Sequence, residues 1–274
     1  MGRTPTLFIP PVITSHQNPL AKRIRRLERK KHRQEEGAFF VEGIRVVLAA
    51  LEQGAPVELL VYAPELLSSE VAGEAISRHE ALGGEAAVVS GEVFRSFSQR
   101  ENPAGLGAIV GARLRALDEL AVSADAIFVA AHDTGDPGNL GTIMRTMDGM
   151  GAAGLILVGQ TTDPFHPTAV KASMGTLFRV PVAQAAELEA VWAWAEQQGI
   201  FTVATSARAQ HNFWEAPYRF PALLLLGSEG EGLPAEVLAR ADLAVSIPMH
   251  GAASSLNLAV AAGLLLYELR RQNV

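Results

Sequence analysis

The feature that most constrains the fold is a series of short, continuous apolar runs that alternate with helical patterns in the second half of the chain. The clearest run is LLLL at 223–226, and similar runs occur at 126–133, 155–159, 201–207 and 243–249. Strands that are apolar on both faces are typical of parallel sheets covered by helices on each side. The helical patterns lie at 140–152, 169–182, 188–199 and 254–271, and the second of them ends in a short strand at Val180–Val182. The sequence therefore predicts a parallel α/β domain over residues 126–274.

The first half of the chain also alternates strands and helices, in shorter segments. It predicts a smaller α/β domain over residues 15–114, preceded by a proline-rich extended arm at 1–14 and followed by a charged linker at 115–125. A helix is expected from Asn18 to about Gln34, because its apolar residues recur every three or four positions. This helix is strongly basic on a chain of net charge −6, with eight cationic side chains against one glutamate: Lys22, Arg23, Arg25, Arg26, Arg29, Lys30, Lys31 and Arg33.

Composition excludes several classes of protein. With 49% hydrophobic residues in 274, the chain can bury a sizeable core and is not disordered throughout. It has no apolar run of about 18 residues and no secretory pattern at its start, so we expect a cytoplasmic protein without a membrane partner. The absence of cysteine excludes disulfides and thiolate zinc sites, and the seven histidines lack metal-ligand spacing. We expect no metal.

Three loops that follow predicted strands carry the candidate chemistry, because open α/β sheets bind ligands at the carboxyl ends of their strands. The first loop, at 133–145, contains three glycines, Asn139 in a position to cap the next helix, and Arg145. The second, at 227–232, places Glu229 among three more glycines. The third runs from 246 to 263.

The third loop begins with an apolar segment, Ile247 to Met249, that could line an adenine pocket. Either Ser254 or Ser255 could cap the last helix, and Asn257 lies in that helix's otherwise apolar first turn, where a buried amide would need hydrogen-bond partners. Glycine-rich loops of this kind suggest a nucleotide, but no Walker motif occurs and the dinucleotide fingerprint is weak. The residues by themselves indicate an enzyme with an adenosine-type ligand.

Plainer interpretations of the same residues remain open. Each glycine-rich loop could be an ordinary turn with solvated charges, and Ser255 could act only as a cap. Two rival functions also fit: a nucleotide-dependent oxidoreductase or transferase, and a noncatalytic RNA-binding protein.

Taken together and in this order, the loops resemble the three motifs of the SpoU/TrmH family of RNA ribose 2′-O-methyltransferases, of the SPOUT class. The family's N-x-G-x-x-x-R motif stands here as Asn139 to Arg145, and its G-S-E-G-x-G motif as Gly227 to Gly232. Its third motif, I-P-M followed by S-L-N-x-x-x-A, stands at 247–249 and 255–261. The segment KASMGTLFRVPV at 171–182 also resembles the family, and the first half is similar to the family's substrate-binding domain.

The resemblance implies a trefoil-knotted SPOUT domain, a homodimer, and S-adenosylmethionine as methyl donor. It implies catalytic roles for Arg145, Asn139, Glu229, Ser255 and Asn257. Cofactor contacts would come from Leu226, Gly227, Ile247, Met249, Ser255 and Leu256. It also implies that the basic helix of the first domain binds RNA phosphates. Ribosomal RNA, of the 23S type, is the expected substrate, with tRNA as the alternative.

Overall fold

The computed structural model of the protein describes residues 11–273, so most of the predicted extended arm lies outside the described residues. The chain forms two compact units, the first ending at Ala112 and the second beginning at Arg113. Residues of the predicted linker belong to the second unit: Arg115 pairs with the strand residue Ala183, and Leu120 is buried in the core.

Over residues 11–112, the first unit is a four-stranded mixed sheet with five helices. Its elements are α1 Pro19–Arg26, α2 Lys30–Glu36, β1 Ala38–Glu42, α3 Ile44–Glu52, β2 Val57–Tyr62, α4 Glu70–Ala81, β3 Ala86–Val88, α5 Gly91–Arg95 and β4 Leu106–Gly111. The sheet order is β1-β4-β2-β3, with β2 and β3 parallel and the other two pairs antiparallel. The end of the predicted arm, at Ile13, pairs with Val89.

The prediction of a single basic helix is wrong, because the segment forms two short helices, α1 and α2. The helix breaks after Arg26, where Leu27 turns into the core and is almost fully buried. Arg33 folds back from α2 and donates hydrogen bonds to the carbonyl oxygens of Leu27 and Glu28, at 2.9 and 2.7 Å. The buried guanidinium therefore satisfies carbonyl groups that the break leaves without helical partners.

Over residues 113–273, the second unit is built on a seven-stranded parallel sheet, as the continuous apolar runs predict. Its elements are β5 Ile127–His132, α6 Pro137–Met150, β6 Gly154–Val158, α7 Pro167–Ser173, β7 Val182–Ala185, α8 Leu188–Gln197, β8 Phe201–Thr205, β9 His211–Asn212, β10 Ala222–Leu226, α9 Ala235–Arg240, β11 Leu243–Ser246 and α10 Leu258–Gln272. The strand order is β7-β6-β5-β10-β8-β11-β9, and each neighbouring pair is parallel.

Several predicted boundaries in this unit are wrong by a few residues. β7 begins at Val182 and not at Val180, because Pro181 has no backbone N–H to enter the ladder. α6 begins at Pro137, earlier than predicted, and α10 begins at Leu258, later than predicted. The sequence pattern did not predict α9 or the two-residue strand β9 at the sheet edge.

The strand order brings distant loops to one edge of the sheet. β10 lies between β5 and β8, so the order of strands reverses next to β5. Ligands of open parallel sheets bind at the carboxyl ends of the strands at such a reversal. The loops that follow β5 and β10 meet at this point.

Within residues 11–273, no helix is both long enough and apolar enough to cross a membrane.

Candidate active site

The loop after β5 ends at a well-formed start of α6. Asp136 is the N-cap of this helix, and its carboxylate accepts a hydrogen bond of 2.8 Å from the backbone N–H of Asn139. Pro137 occupies the first helical position, where its missing N–H costs nothing. The prediction that Asn139 caps the helix is therefore wrong. Its side chain is left available for contacts with the other two loops.

Gly141 lets α6 lie close against α7. A Cβ atom at this position would come within 2.4 Å of the Ala169 carbonyl oxygen and 2.6 Å of the Ala172 Cβ. Any side chain would push the two helices apart. The glycine of the first motif therefore has a packing role: it fixes the position of the helix that carries Asn139 and Arg145.

The loop after β10 is a tight turn that aims Glu229 at α6. Gly227 is buried, and a Cβ on it would lie 2.1 Å from the backbone carbon of Gly232. Ser228 and Gly232 form an antiparallel bridge across the turn, and Gly232 has φ of +74°. This backbone requires both glycines. Gly227 has no room for a side chain, and Gly232 has the left-handed backbone conformation that other residues rarely adopt.

The three loops are joined by a network of side chains formed by Glu229, Asn139 and Asn257, which we call the Glu229 network. The Glu229 carboxylate accepts hydrogen bonds from the Asn139 amide at 3.1 Å and from the backbone N–H groups of Gly135 and Asp136 at 3.1 and 3.2 Å. Asn257 donates to the Asn139 carbonyl oxygen at 2.8 Å. The network thus links residues 118 positions apart in the chain.

Asn257 also caps α10, which corrects two predictions. Its side-chain oxygen accepts hydrogen bonds from the backbone N–H groups of Ala259 and Val260, at 2.9 and 3.3 Å. Neither Ser254 nor Ser255 is the cap, and Asn257 is exposed, not buried. Its amide has partners, as predicted, because one side chain serves both the helix N-terminus and Asn139.

The electrostatics of the network favour an ionised Glu229. Partial burial raises the pKa of its carboxyl, but hydrogen bonds from Asn139 and from backbone N–H groups outweigh burial and lower the pKa below its ordinary value. Glu229 is therefore a charged acceptor that holds the loop after β5 in place, and it is poorly suited to donate a proton.

Arg145 lies apart from this network, on the outer face of α6. Six residues separate it from Asn139, a rise of about 9 Å along the helix. Its side chain is exposed and makes no hydrogen bond or ion pair with any other residue between 11 and 273. The structure thus brings together Asn139, Glu229 and Asn257, and leaves Arg145 free to contact a ligand or another molecule.

The remaining residues predicted for the cofactor site line the same edge of the sheet. Leu226 and Gly227 are buried at the end of β10, Ile247 and Met249 are half-buried after β11, and Ser255 and Leu256 are exposed. β11 and β10 are separated by β8, yet Asn257 reaches α6 beside β5. The segment 247–256 therefore crosses the carboxyl ends of the intervening strands. The half-buried apolar side chains of Ile247 and Met249 and the glycine-rich loop after β10 lie at this edge, which is chemically suited to an adenosine-containing cofactor.

The basic residues predicted to bind RNA differ widely in exposure. Lys22, Arg26, Arg29, Lys30 and Lys31 are exposed. Arg23 is paired with Glu36 and Glu58, both at 2.7 Å, and Arg25 bonds to Ser96 and to the His16 carbonyl oxygen. Arg33 is only 2% exposed, so its prediction as an RNA contact is wrong: its guanidinium is used inside the fold.

With this geometry in place, comparison with known proteins identifies the family. The sequence profile of the SpoU rRNA Methylase family matches residues 126–267, more than half of the chain. The protein belongs to the SpoU rRNA methylase family. A second profile, that of the MRM3-like substrate binding domain, matches residues 18–108. The family resemblance drawn from the three motifs, with its SPOUT-type parallel sheet and N-terminal substrate-binding domain, is confirmed.

Relatives of this SpoU methylase align over nearly the whole chain. A 23S rRNA (uridine(2479)-2′-O)-methyltransferase of Streptomyces viridochromogenes is 32% identical, over 90% of this chain and 88% of its own. The 23S rRNA (guanosine(2553)-2′-O)-methyltransferase of Bacillus subtilis is 29% identical, over 94% and 98%. The AdoMet-bound rRNA methyltransferase of Sinorhizobium meliloti superposes with a TM-score of 0.87 at 38% identity, covering 96% and 98% of the two chains.

The sequence analysis assigns no role to Asp136, although the sequence contains a signal for its role as the N-cap of α6. An aspartate followed by proline is a common helix start, with the acid as N-cap and the proline at the first position. Asp136 and Pro137 have this pattern.

Within the described residues no cluster of three or more histidine, aspartate or glutamate side chains is arranged to hold a metal ion.

Proposed function

We propose that this SpoU methylase transfers a methyl group from S-adenosylmethionine to a ribose 2′-hydroxyl of structured RNA, and that the RNA is 23S ribosomal RNA. The observation that carries the proposal is the Glu229 network, which joins the three family motifs at the sheet edge where parallel α/β proteins bind ligands. Named relatives that align over most of the chain act on 23S rRNA.

In this proposal the cofactor lies against the two loops that follow β10 and β11. Six residues of these loops would hold the cofactor: Leu226, Gly227, Ile247, Met249, Ser255 and Leu256. The bound cofactor supplies a sulfonium methyl group, which is electrophilic without help from a metal. The chain's own task is to hold the ribose hydroxyl in line with that methyl group.

Arg145 acts on the RNA in this mechanism and not as a general base. A guanidinium has a pKa above about 12 and does not accept a proton near neutral pH. Its donors suit the phosphate next to the reacting ribose. Its positive charge would stabilise the oxyanion that develops as the 2′-hydroxyl passes its proton to solvent and its oxygen takes the methyl group, which leaves the donor as a neutral thioether. Asn139 and Asn257 orient the ribose, and Glu229 holds both the loop and Asn139 in position.

We further propose that the active site is completed by a second copy of the chain. Arg145 lies about 9 Å along α6 from Asn139, and its exposed side chain makes no hydrogen bond with the network of its own chain. The neighbouring helix α10 exposes Val260, Leu264 and Tyr267 in one stripe. Pairing through this stripe would bring the arginine of one copy to the cofactor site of the other. The knot implied by the resemblance remains a prediction.

RNA capture is assigned to the first unit. The five exposed cations at Lys22, Arg26, Arg29, Lys30 and Lys31 provide a phosphate-binding surface on a chain of net charge −6. Such contacts weaken steeply with salt, because binding releases counterions from the RNA. The nucleotide that is methylated must be selected by RNA shape and by access to its 2′-hydroxyl.

The test is methyl transfer from tritiated S-adenosylmethionine to ribosomal RNA and to tRNA in separate reactions, with Arg145→Ala and Arg145→Lys as variants. We expect label in ribosomal RNA, lost in Arg145→Ala and partly kept in Arg145→Lys, with an unchanged pH–rate profile in the lysine variant. Label in tRNA alone would overturn the ribosomal assignment. Failure of the wild-type protein to bind S-adenosylmethionine would overturn the proposed function.

A further inference from the structure

A second arginine, Arg179, is exposed on the surface of the second unit and contacts α6 three residues after Arg145. It follows α7 and a short 3-10 turn at Thr176–Phe178, within the segment 171–182 that resembles the family. Its guanidinium is 3.7 Å from the Asp148 carboxylate of α6. The three family motifs that define the active site include neither Arg179 nor Asp148.

The spacing along α6 sets the relation between the two arginines. Residues three and four apart on a helix share one face. Gly141 packs against α7, Arg145 follows it after four residues, and Asp148 after three more. Arg145 and Asp148 are three residues apart on α6, about one helical turn, and Asp148 contacts Arg179.

The chemistry of this edge suits two phosphates of one RNA strand. Both guanidinium groups reach solvent, and the Arg179 side chain is 46% exposed. An ion pair between partly exposed side chains contributes little to stability. A partly exposed arginine held by a carboxylate keeps its direction while remaining able to bind a phosphate.

We propose that Arg179 binds the RNA phosphate next to the one held by Arg145, and that Asp148 positions it. The inference rests on the proposed function, because it assumes that the RNA backbone passes over Arg145. Two neighbouring phosphate contacts would fix the direction of the strand as well as its position.

The experiment measures binding of 23S ribosomal RNA by filter retention at several salt concentrations, for the full chain and four variants. Arg179→Gln should weaken binding about tenfold and reduce the slope of log affinity against log salt by about 1, as expected for one lost phosphate contact. Arg179→Lys should stay within about twofold of wild type, because a lysine also binds phosphate as a point charge. Asp148→Asn should weaken binding about twofold and leave the salt slope unchanged, because Arg179 keeps its charge but loses the carboxylate that fixes its direction.

Arg240 is the matched control, because it is 45% exposed and paired with Glu189 at another place in the same unit. Arg240→Gln should leave the affinity and the salt slope unchanged. Equal effects of Arg179→Gln and Arg240→Gln would overturn the proposal, since the loss would then reflect net charge. A fall in melting temperature without a change in RNA affinity would also overturn it, by showing a purely structural ion pair.

Methyl transfer separates this inference from the proposed function. Arg179→Gln should raise KM for RNA and leave kcat within about threefold, whereas Arg145→Ala should lower kcat. If wild-type protein methylates RNA and Arg179→Gln is indistinguishable from it in KM and salt slope, the inference fails alone. If wild-type protein binds no S-adenosylmethionine, the proposed function fails, and RNA binding still reports on Arg179.

Discussion

Glu229 shows how one carboxylate can hold two loops of a candidate site together. Three donors converge on its carboxylate, two from the backbone and one from Asn139. A neutral amide cannot accept all three, because one end of it carries donors. The charge is therefore needed to hold the loop after β5 in place.

We expect Glu229→Gln to lower the free energy of unfolding of the second unit by about 1–3 kcal/mol at neutral pH, as for lost hydrogen bonds to a charged group. The pKa of Glu229 is lowered in the folded state, so its contribution is complete above the ordinary carboxyl pKa and disappears as the pH falls through the folded value. The difference in melting temperature between wild type and variant should therefore shrink in acid. Glu231→Gln, in the same exposed loop, should change little at either pH.

The basic residues of the first unit divide into a structural group and an exposed group, which we propose contacts RNA, although they are alike in the sequence. Arg33→Ala should destabilise the unit by about 1–3 kcal/mol, because the buried carbonyl of Leu27 and the partly buried carbonyl of Glu28 lose their partner. Lys30→Gln with Lys31→Gln should leave the melting temperature unchanged and weaken RNA binding with a smaller salt slope. Thermal unfolding and filter binding on the same samples would show both effects. The reverse pattern would contradict this division.

At the scale of elements, α6 is fixed by the contact of Gly141 with α7. Gly141→Ala should destabilise the unit by about 1–3 kcal/mol, since a Cβ would meet the backbone of α7 at 2.4 Å. Gly149 lies in the same helix, and a Cβ on it would have no neighbour within 4 Å, so Gly149→Ala should stabilise the helix by about 0.5–1 kcal/mol. Denaturant unfolding of both variants would test whether space, and not helix propensity, explains the glycine of the first motif.

The elements also show what the sequence could and could not predict. The leucines at 223–226 predicted a buried parallel strand correctly, because apolar residues on both faces allow few other structures. The ends of elements were harder. Asn139 and Ser255 both have good capping side chains, but Asp136 and Asn257 occupy the cap positions. Competing caps within four residues are decided by tertiary contacts, which local pattern does not contain.

At the scale of the whole molecule, the site depends on strand order. Asn139 is 90 residues from Glu229 and 118 from Asn257 in the chain. The three meet because β10 lies beside β5 while the segment after β11 returns to α6. The pattern of apolar residues predicts where each strand lies in the sequence, but it does not predict the order of the strands in the sheet. The family motifs implied that these residues act together, and the strand order supplies the physical reason.

The last prediction concerns assembly. Val260, Leu264 and Tyr267 are 52, 42 and 62% exposed on one face of α10. This face exposes more apolar surface than is usual for a helix face that contacts only solvent. If two copies pair through this face, Val260→Glu with Leu264→Glu should give a monomer in sedimentation, because two charges per copy would be buried without partners. Leu82→Glu, at a residue 83% exposed in the first unit, should leave the dimer unchanged.

The same variants connect assembly to catalysis. Since Arg145 is proposed to serve the partner's site, the monomeric variant should lose methyl transfer while each unit keeps its melting temperature. Mixing Arg145→Ala chains with Glu229→Gln chains should restore part of the activity, because a mixed dimer would hold one site with both residues intact. A fully active monomer would show that Arg145 reaches the site of its own chain through a movement of α6, and would refute the shared active site.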